Sequence, residues 1–210
     1  MHGRRERVAE LRGLDPAEIE RVLDVGGIDL GTADRMVENA LGVLALPFGV
    51  AVHFRVNDKD YLVPMAIEEP SVIAAASHAA KRVKAGGGFV ATSTEPVMIA
   101  QVEVHDVTDP AGALERVVAA TGEILKVADA AIPTLVERGG GARGLSVRDL
   151  GEGFVVAHIE VDCREAMGAN ICNTVAEATG PMVAELCGGS LGLRILSNYC
   201  DLRRTRVTAR

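Results

Sequence analysis

The fold of this chain is indicated most clearly by the stretch FVVAHIEVDCREAMGAN, which runs from Phe154 to Asn170. Its first eight residues are mostly apolar and rich in β-branched side chains, and they predict a strand over Phe154–Val161. A tight segment with one glycine, Gly168, follows, and the apolar run that continues to Cys187 predicts a long helix. Such a helix entry can approach a ligand closely and hold phosphate oxygens on its free N–H groups. A turn that binds nothing is the alternative, and the residues alone favour it.

The elements on either side of this stretch complete an order of strand, helix, strand, strand, helix and strand. That order, βαββαβ, is typical of the ferredoxin-like split βαβ arrangement. We therefore predict an α+β chain with a ferredoxin-like small domain over residues 96–197, preceded by residues 1–95 and followed by a basic tail, residues 198–210. The other predicted elements of the small domain are strands at Val97–Val104, Leu145–Leu150 and Leu191–Leu196 and a helix at Ala111–Ala131.

The region before the small domain is predicted to contain helices and one hairpin. Asp15 and Pro16 supply a cap and a first-turn proline for a helix that ends at Gly26-Gly27. Apolar residues at helical spacing from Ala33 to Leu44 predict a second helix, which Pro47 ends. The hairpin strands and the third helix are predicted at Val50–Val56, Tyr61–Ile67 and Ser71–Lys84.

Two adjacent carboxylates, Glu68 and Glu69, fall between the return strand of the hairpin and the third helix. Because side chains alternate along a strand, one of the two is expected to face the apolar side. An apolar environment would favour its protonated form, so that it could act as a general acid near neutral pH. The alternative is a helix N-terminus that attracts acids through its dipole, and the pattern alone favours this alternative.

Composition excludes several classes of protein. The chain has 29 acidic and 22 basic residues, a net charge of −7 and no basic stripe, which argues against a nucleic-acid partner. Only 3% of residues are aromatic, so the core must be aliphatic and no stacking platform for single strands is expected. The apolar content of 48% excludes disorder. No window of about 18 apolar residues predicts a membrane span, and no apolar segment near the N-terminus predicts a secretory signal, so we expect a cytoplasmic protein.

Other chemistry-bearing patterns are weaker. The four cysteines have neither zinc-site nor Cys-x-x-Cys spacing, which predicts reduced thiols, and the histidines have no metal-ligand spacing, so no metal site is predicted. No nucleophile-elbow glycines surround Ser71 or Ser77. Gly139-Gly140-Gly141 and Gly144 satisfy G-x-G-x-x-G, but a helix precedes them and a strand follows, the reverse of a dinucleotide fingerprint. A helix-to-strand turn is predicted there.

Several segments, taken together and in order, resemble the 3-hydroxy-3-methylglutaryl-CoA (HMG-CoA) reductase family, particularly its bacterial class II form. The resemblance runs from about Asp34 to Asp201. Its glutamate motif is similar to YLVPMAIEEPSVIAAAS at Tyr61–Ser77, and its cofactor motif to MGAN at Met167–Asn170. The further matching segments are Glu38–Gly42, Leu46–Ala51, Asn173–Ala178 and Arg194–Asn198.

The resemblance implies a fold and a reaction. A large α/β domain, here present only in part, would bind HMG-CoA, and the ferredoxin-like domain inserted in it would bind NADPH or NADH. Two hydride transfers would take the thioester through a hemithioacetal and an aldehyde to mevalonate and free CoA, or the reverse. The family assembles its active sites near a dimer interface, so the resemblance implies a homodimer or a larger homo-oligomer, with Glu38–Gly42 near that interface.

The resemblance also implies roles for individual residues. Glu69 would be the carboxylic acid that donates protons to, or hydrogen-bonds, the reacting carbonyl, and Ser71 would contact the HMG portion. The residues implied for the dinucleotide site are Glu165, Met167, Gly168 and Asn170.

The chain departs from the family pattern at three points. Glu165 stands where the family motif begins with aspartate, and Ile132 stands where some NAD-preferring relatives carry an acid. NADPH is therefore compatible with the sequence, with Arg143 as a candidate phosphate partner. The third departure is that the family's catalytic lysine, aspartate and histidine follow the region that this sequence matches. A lost oxyanion donor of this kind costs about 10²–10³ in rate.

Three hypotheses follow. In the first, the chain is half of a reductase, and the other half is a separate C-terminal-half chain or was lost by truncation. In the second, it is a catalytically inactive remnant that binds a nucleotide and dimerises. In the third and least favoured, it is an unrelated regulatory ferredoxin-like domain. Apolar faces left uncovered by half of a large domain predict self-association or marginal solubility.

Overall fold

The computed structural model describes residues 2–24 and 27–209 and divides the chain into two compact units. The first extends to Phe89 and includes Ala209, and the second is Val90–Thr208. Within the described residues, no helix combines the length and the apolarity that a membrane span requires.

The first unit begins with three short helices, α1 (His2–Arg12), α2 (Pro16–Asp24) and α3 (Leu30–Met36). The predicted start of α2 is confirmed: Asp15 accepts a hydrogen bond of 2.9 Å from the Ala17 N–H at its first turn. The predicted helix end at Gly26-Gly27 lies partly outside the described residues.

The predicted helix from Ala33 to Leu44 is wrong over most of its length. Asp29 caps α3 by accepting from the Thr32 N–H at 2.8 Å, and the helix ends at Met36. Leu41 and Leu44, on the predicted apolar face, are 100% and 87% exposed. A short amphipathic helix is stabilised mainly by packing of its apolar face. Within the described residues, that face is buried at Ala33 but exposed at Leu41 and Leu44, so the helix does not extend to them.

The predicted hairpin is confirmed as strands β1 (Phe48–Val56) and β2 (Lys59–Ala66), which pair antiparallel. Asn57 and Asp58 form the two-residue turn with φ of 47° and 65°, the left-handed values that such hairpins require. Helix α4 (Val72–Ala85) follows and contacts β1, where the Ser77 hydroxyl accepts from the Val52 N–H at 3.1 Å.

Two short strands were not predicted. Strand β3 (Phe89–Ser93) begins beside the end of β1, and β8 (Thr205–Ala209) occupies the segment predicted as a basic tail. All five residues of β8 are exposed, so no alternation of apolar residues marks it in the sequence. The sheet order is β2-β1-β3-β8.

The second unit contains the other sheet, with strand order β5-β6-β4-β7 and antiparallel pairing between all neighbours. The elements follow one another as predicted, except that the helix expected at Ala111–Ala131 is divided at Ala120 and a short helix is added. The elements are β4 (Val97–His105), α5 (Pro110–Ala119), α6 (Thr121–Ala131), α7 (Pro133–Glu137), β5 (Gly141–Gly151), β6 (Phe154–Asp162), α8 (Ala169–Cys187) and β7 (Ser190–Leu196).

The core of the second unit lies where α5, α6 and α8 contact this sheet. It is aliphatic, as predicted, since no described aromatic side chain is buried. The predicted turn at Gly139-Gly140-Gly141 is confirmed between α7 and β5, and a Cβ on Gly140 would come within 2.7 Å of the Asp162 carbonyl oxygen. The G-x-G-x-x-G match therefore has a packing explanation.

Candidate functional site

The loop between β6 and α8, residues 163–168, carries most of the residues implied for a dinucleotide site. Its first turn forms because the Arg164 N–H donates to the Asp162 carboxylate at 3.0 Å, with Arg164 in the left-handed region at φ 52°. The Ala166 N–H then donates to the Cys163 carbonyl at 3.1 Å. The loop ends at Gly168, whose carbonyl accepts the first bond of α8 from the Cys172 N–H at 2.9 Å.

Gly168 is required at this position for two reasons. Its φ of 100° is one that L side chains rarely adopt. A Cβ would also lie 2.8 Å from the Cys163 sulfur and 3.1 Å from Cγ of Met98. The backbone thus enters α8 pressed against buried sulfur-bearing side chains, which fixes where the helix begins.

A buried charge network supports the same loop. Asp162 is 3% exposed and accepts from Arg143 at 3.0 Å, with Arg164 3.7 Å away. Burial by itself would raise the pKa of Asp162, but the Arg164 N–H and the two guanidinium groups outweigh burial and hold the pKa below its usual value. Arg143 also donates to the Gly139 carbonyl at 2.7 Å, so this candidate phosphate partner is engaged by the protein itself.

The remaining implied cofactor residues face solvent at the start of α8. Met167 is 71% exposed, and Glu165 and Asn170 are exposed. Glu165 lines a cavity of about 350 Å³ together with Arg164 and Arg203. The Ala169 N–H donates to the Met167 sulfur at 3.4 Å. The next two N–H groups, those of Asn170 and Ile171, have no partner within α8 because the helix begins just before them.

All four cysteines are free, as predicted. Cys163 and Cys172 lie buried under the loop, and the hydrogen bond between their thiols lowers the pKa of Cys163 and raises that of Cys172. The exposed Cys200 places its sulfur 3.6 Å from the Met98 thioether. Within the part of the chain that the structure describes, no group of His, Cys, Asp and Glu side chains could hold a metal ion.

Glu69 and Ser71 lie in the first unit, between β2 and α4. The Ser71 hydroxyl donates to the Glu69 carboxylate at 2.6 Å, so this serine makes no side-chain cap for α4 although it stands at the helix start. Glu68, Glu69 and Ser71 are all exposed. The prediction that one of the two carboxylates faces an apolar side is wrong for this chain, because both side chains are exposed.

Two residues were missed at the level of sequence: one contacts the candidate cofactor loop and the other holds the first in place. Arg203 donates to the Ala166 carbonyl at 2.9 Å, and Thr94 hydrogen-bonds the backbone on both sides of Arg203. The first pair is 37 residues apart and the Thr94–Leu202 pair 108 residues apart. No local pattern marks either contact.

The comparisons with known proteins agree with one another. The family model described as "Hydroxymethylglutaryl-coenzyme A reductase" matches residues 1–210. A 3-hydroxy-3-methylglutaryl-coenzyme A reductase of Archaeoglobus fulgidus is 41% identical over 209 residues, which are 98% of this chain and 48% of that protein. A probable enzyme of the same name from Borreliella burgdorferi is 33% identical over 165 residues, 78% of this chain and 37% of that protein.

A solved structure is similar over the same span. The class II 3-hydroxy-3-methylglutaryl-CoA reductase from Streptococcus pneumoniae, bound to NADPH in open conformations, superposes with a TM-score of 0.91 at 39% identity. The match covers 98% of this chain and 56% of that one. The chain thus spans about half the length of the relatives it matches.

Proposed function

The chain belongs to the hydroxymethylglutaryl-coenzyme A reductase family, and from this premise we propose that it supplies the nicotinamide-binding unit and the acidic glutamate of an NADPH- or NADH-dependent HMG-CoA reductase. The second unit is the ferredoxin-like cofactor domain in this proposal. The first unit, with the segment after β7, is part of a large α/β domain that binds HMG-CoA.

The cofactor role is carried by the loop that ends at Gly168. Gly168 has a positive φ and packs where no Cβ fits, and α8 begins directly after it with the Asn170 and Ile171 N–H groups unbonded within the helix. An anionic pyrophosphate suits such a helix start, and the exposed Asn170 amide offers further hydrogen bonds. The similar S. pneumoniae enzyme is bound to NADPH, which supports the same cofactor class for this chain. The residues present therefore fit a nicotinamide dinucleotide.

Glu165 is the point at which the cofactor site differs from the family motif. It is one methylene longer than the aspartate that the resemblance implies at this position, and it faces the cavity lined by Arg164 and Arg203. We propose that this longer side chain contacts the dinucleotide at the exposed edge of the loop.

The chemical roles divide between the two units. The bound cofactor supplies the hydride. Glu69 holds or moves a proton at the reacting carbonyl oxygen, and Ser71, already bonded to Glu69 at 2.6 Å, orients that carboxyl and contacts the HMG portion. A carboxyl that is exposed in this chain must lose water before it can act as a general acid, which the substrate and the rest of the large domain would achieve.

The turnover of a whole reductase is proposed only for this chain together with the region that its relatives carry beyond the matched span. That region supplies the family's lysine, aspartate and histidine. It would be a separate C-terminal-half chain or the continuation of the same polypeptide, and the active assembly would be a homodimer or a larger oligomer.

The test is a titration of NADPH and NADH into the 210-residue chain, followed by HMG-CoA-dependent oxidation of the cofactor with and without the missing region. We expect binding by the chain alone and turnover only after the region is added, with Glu69→Gln abolishing turnover but not binding. Binding without turnover in both cases would identify an inactive remnant. Absence of binding would contradict the proposed cofactor role of this chain.

A further inference from the structure

Arg203 makes a set of contacts that no other described side chain makes with the candidate cofactor loop. Its Nη1 donates to the carbonyl oxygens of Ala166 and Met167 at 2.9 and 3.3 Å. Its Nη2 donates to the carbonyl oxygen of Arg164 at 3.4 Å. One guanidinium therefore hydrogen-bonds three carbonyl groups that belong to the four residues before Gly168.

The backbone on both sides of Arg203 is held in place by Thr94. The Thr94 hydroxyl donates to the Leu202 carbonyl at 2.5 Å and accepts from the Arg204 N–H at 2.9 Å. The Thr94 N–H donates to the Arg204 carbonyl at 2.9 Å. Because the chain is fixed before and after it, the guanidinium is aimed at the loop and loses little further freedom on binding the carbonyls.

Arg203 adds hydrogen bonds that the loop's own backbone does not make. The Arg164 and Ala166 N–H groups bond back to Asp162 and Cys163, whereas Arg203 binds the carbonyl groups of Arg164, Ala166 and Met167. A planar guanidinium with five donors can satisfy several carbonyls at once, which a lysine ammonium cannot do in the same geometry. The cation also helps to lower the pKa of the neighbouring Cys163 thiol.

We propose that Arg203 is a positioning residue for the nicotinamide cofactor. It does not touch the dinucleotide; it fixes residues 164–167 so that Met167, Gly168 and the first turn of α8 hold one conformation before the cofactor arrives. This inference rests on the proposed function, since it concerns the same site. Preorganisation of this kind improves affinity by removing the entropic cost of ordering the loop on binding.

The test compares Arg203→Gln and Arg203→Lys with a matched control, Arg206→Gln. Arg206 lies close by in β8, carries the same charge, is exposed and does not line the cavity of Glu165, and among the described residues its side chain makes no hydrogen bond or ion pair. Two properties are measured on the full chain at 0.15 M salt: the Kd for NADPH by fluorescence, and amide hydrogen exchange of residues 164–172 without cofactor.

We expect both Arg203 variants to weaken NADPH binding about tenfold or more and to accelerate exchange in the loop, with Arg203→Lys no better than a partial rescue. Arg206→Gln should change neither property beyond about twofold. Faster exchange with an unchanged Kd would overturn the positioning role and leave a structural contact. Unchanged hydrogen exchange in the loop would show that Arg203 does not hold residues 164–167 in place. A wild-type chain that binds neither NADPH nor NADH, with exchange still faster in the Arg203 variants, would overturn the proposed function and the positioning role, but not the contact.

Discussion

The two units of this chain differ in what they bury. The second unit packs a continuous aliphatic core in which Val102, Val104, Ile124 and Ile159 are fully buried. In the first unit, the buried apolar side chains that the structure describes are four alanines: Ala9, Ala33, Ala51 and Ala80. Large apolar side chains of the first unit are instead exposed, Leu41 and Leu44 most of all.

This difference separates the two candidate sites. The loop at Gly168 rests on a complete core and on a charge network around Asp162, so its shape is determined within the second unit. Glu69 and Ser71 are exposed in a unit with few buried apolar side chains. The side-chain hydrogen bond described for them is the one that joins them to each other. The comparison indicates that cofactor binding can be a property of this chain, whereas the acid needs further protein around it.

The largest effect is expected from Ile159→Ala compared with Leu41→Ala. Removing the fully buried isoleucine side chain should lower the free energy of unfolding of the second unit by about 2–5 kcal/mol. Truncating the fully exposed leucine should change stability by less than about 0.5 kcal/mol. Urea unfolding followed by circular dichroism measures both. A loss at Leu41 comparable to that at Ile159 would break the comparison, because it would mean that another surface covers the first unit in solution.

The second prediction compares Gly168→Ala with Gly188→Ala to distinguish the backbone strain at Gly168 from the close packing around it. Gly188, at the other end of α8, also has a positive φ, 67°, but a Cβ there meets nothing within 4 Å. Gly188→Ala should therefore cost only the left-handed strain, about 1–2 kcal/mol. Gly168→Ala should cost about 1–3 kcal/mol more, because Cys163 and Met98 must also move. Equal losses in thermal or urea unfolding would contradict the tight packing described for the cofactor loop.

The third effect is a pH dependence confined to the second unit. His158 is buried beside Arg148, whose guanidinium nitrogen lies 3.3 Å from the imidazole Nε2. Burial and, secondarily, Arg148 lower the pKa of His158 from its usual 6.5, and the opposite influence of Asp201 is smaller. The unfolded state therefore binds the proton more tightly, so the free energy of unfolding should decline as the pH falls below about 6.5.

The control for this pH dependence is His158→Gln, which removes the titrating group and keeps a polar side chain of similar size. The decline in stability between neutral pH and pH 5 should be smaller in the variant than in the wild-type chain. A variant whose stability falls as steeply as that of the wild type would show that other groups account for the decline.

The smallest effect is expected at Ser71. Its hydroxyl bonds an exposed carboxylate and makes no helix cap, so Ser71→Ala should change the free energy of unfolding by less than about 0.5 kcal/mol. The same variant should impair HMG-CoA turnover once the missing region is supplied. A stability loss well above that limit in urea unfolding would mean that the Glu69–Ser71 pair is a structural element of the first unit rather than part of a reaction site.

The sequence predicts the elements of the second unit well because each carries its own signal. Runs such as Phe154–Val161 are apolar and β-branched, and glycines follow α8. The short helix α7 is the exception and was not predicted. Their order limits the sheet to few topologies. The cofactor loop is also located by sequence, since a strand, one glycine and a long helix follow one another within a short span.

The features that the sequence does not predict depend on two things. Some need contacts between segments far apart in the chain, and others reflect expected contacts that the chain does not make. The helix expected to reach Leu44 ends at Met36, and the apolar side chains of its expected continuation, Leu41 and Leu44, are exposed in the described structure. The Arg203 contacts join segments far apart in the chain, and β8 carries no apolar alternation. The identity of Gly168 likewise does not reveal its positive φ or how closely Cys163 packs against it. Both depend on the folded structure.

The central claim is that the second unit binds a nicotinamide dinucleotide at the start of α8, and a calorimetric titration of NADPH into the 210-residue chain tests it most directly. The account predicts saturable binding at one site per chain, clearly weakened by Asn170→Ala and unchanged by Leu41→Ala. No saturable binding of NADPH or NADH at millimolar concentration, or equal binding by the Asn170→Ala variant, would contradict it.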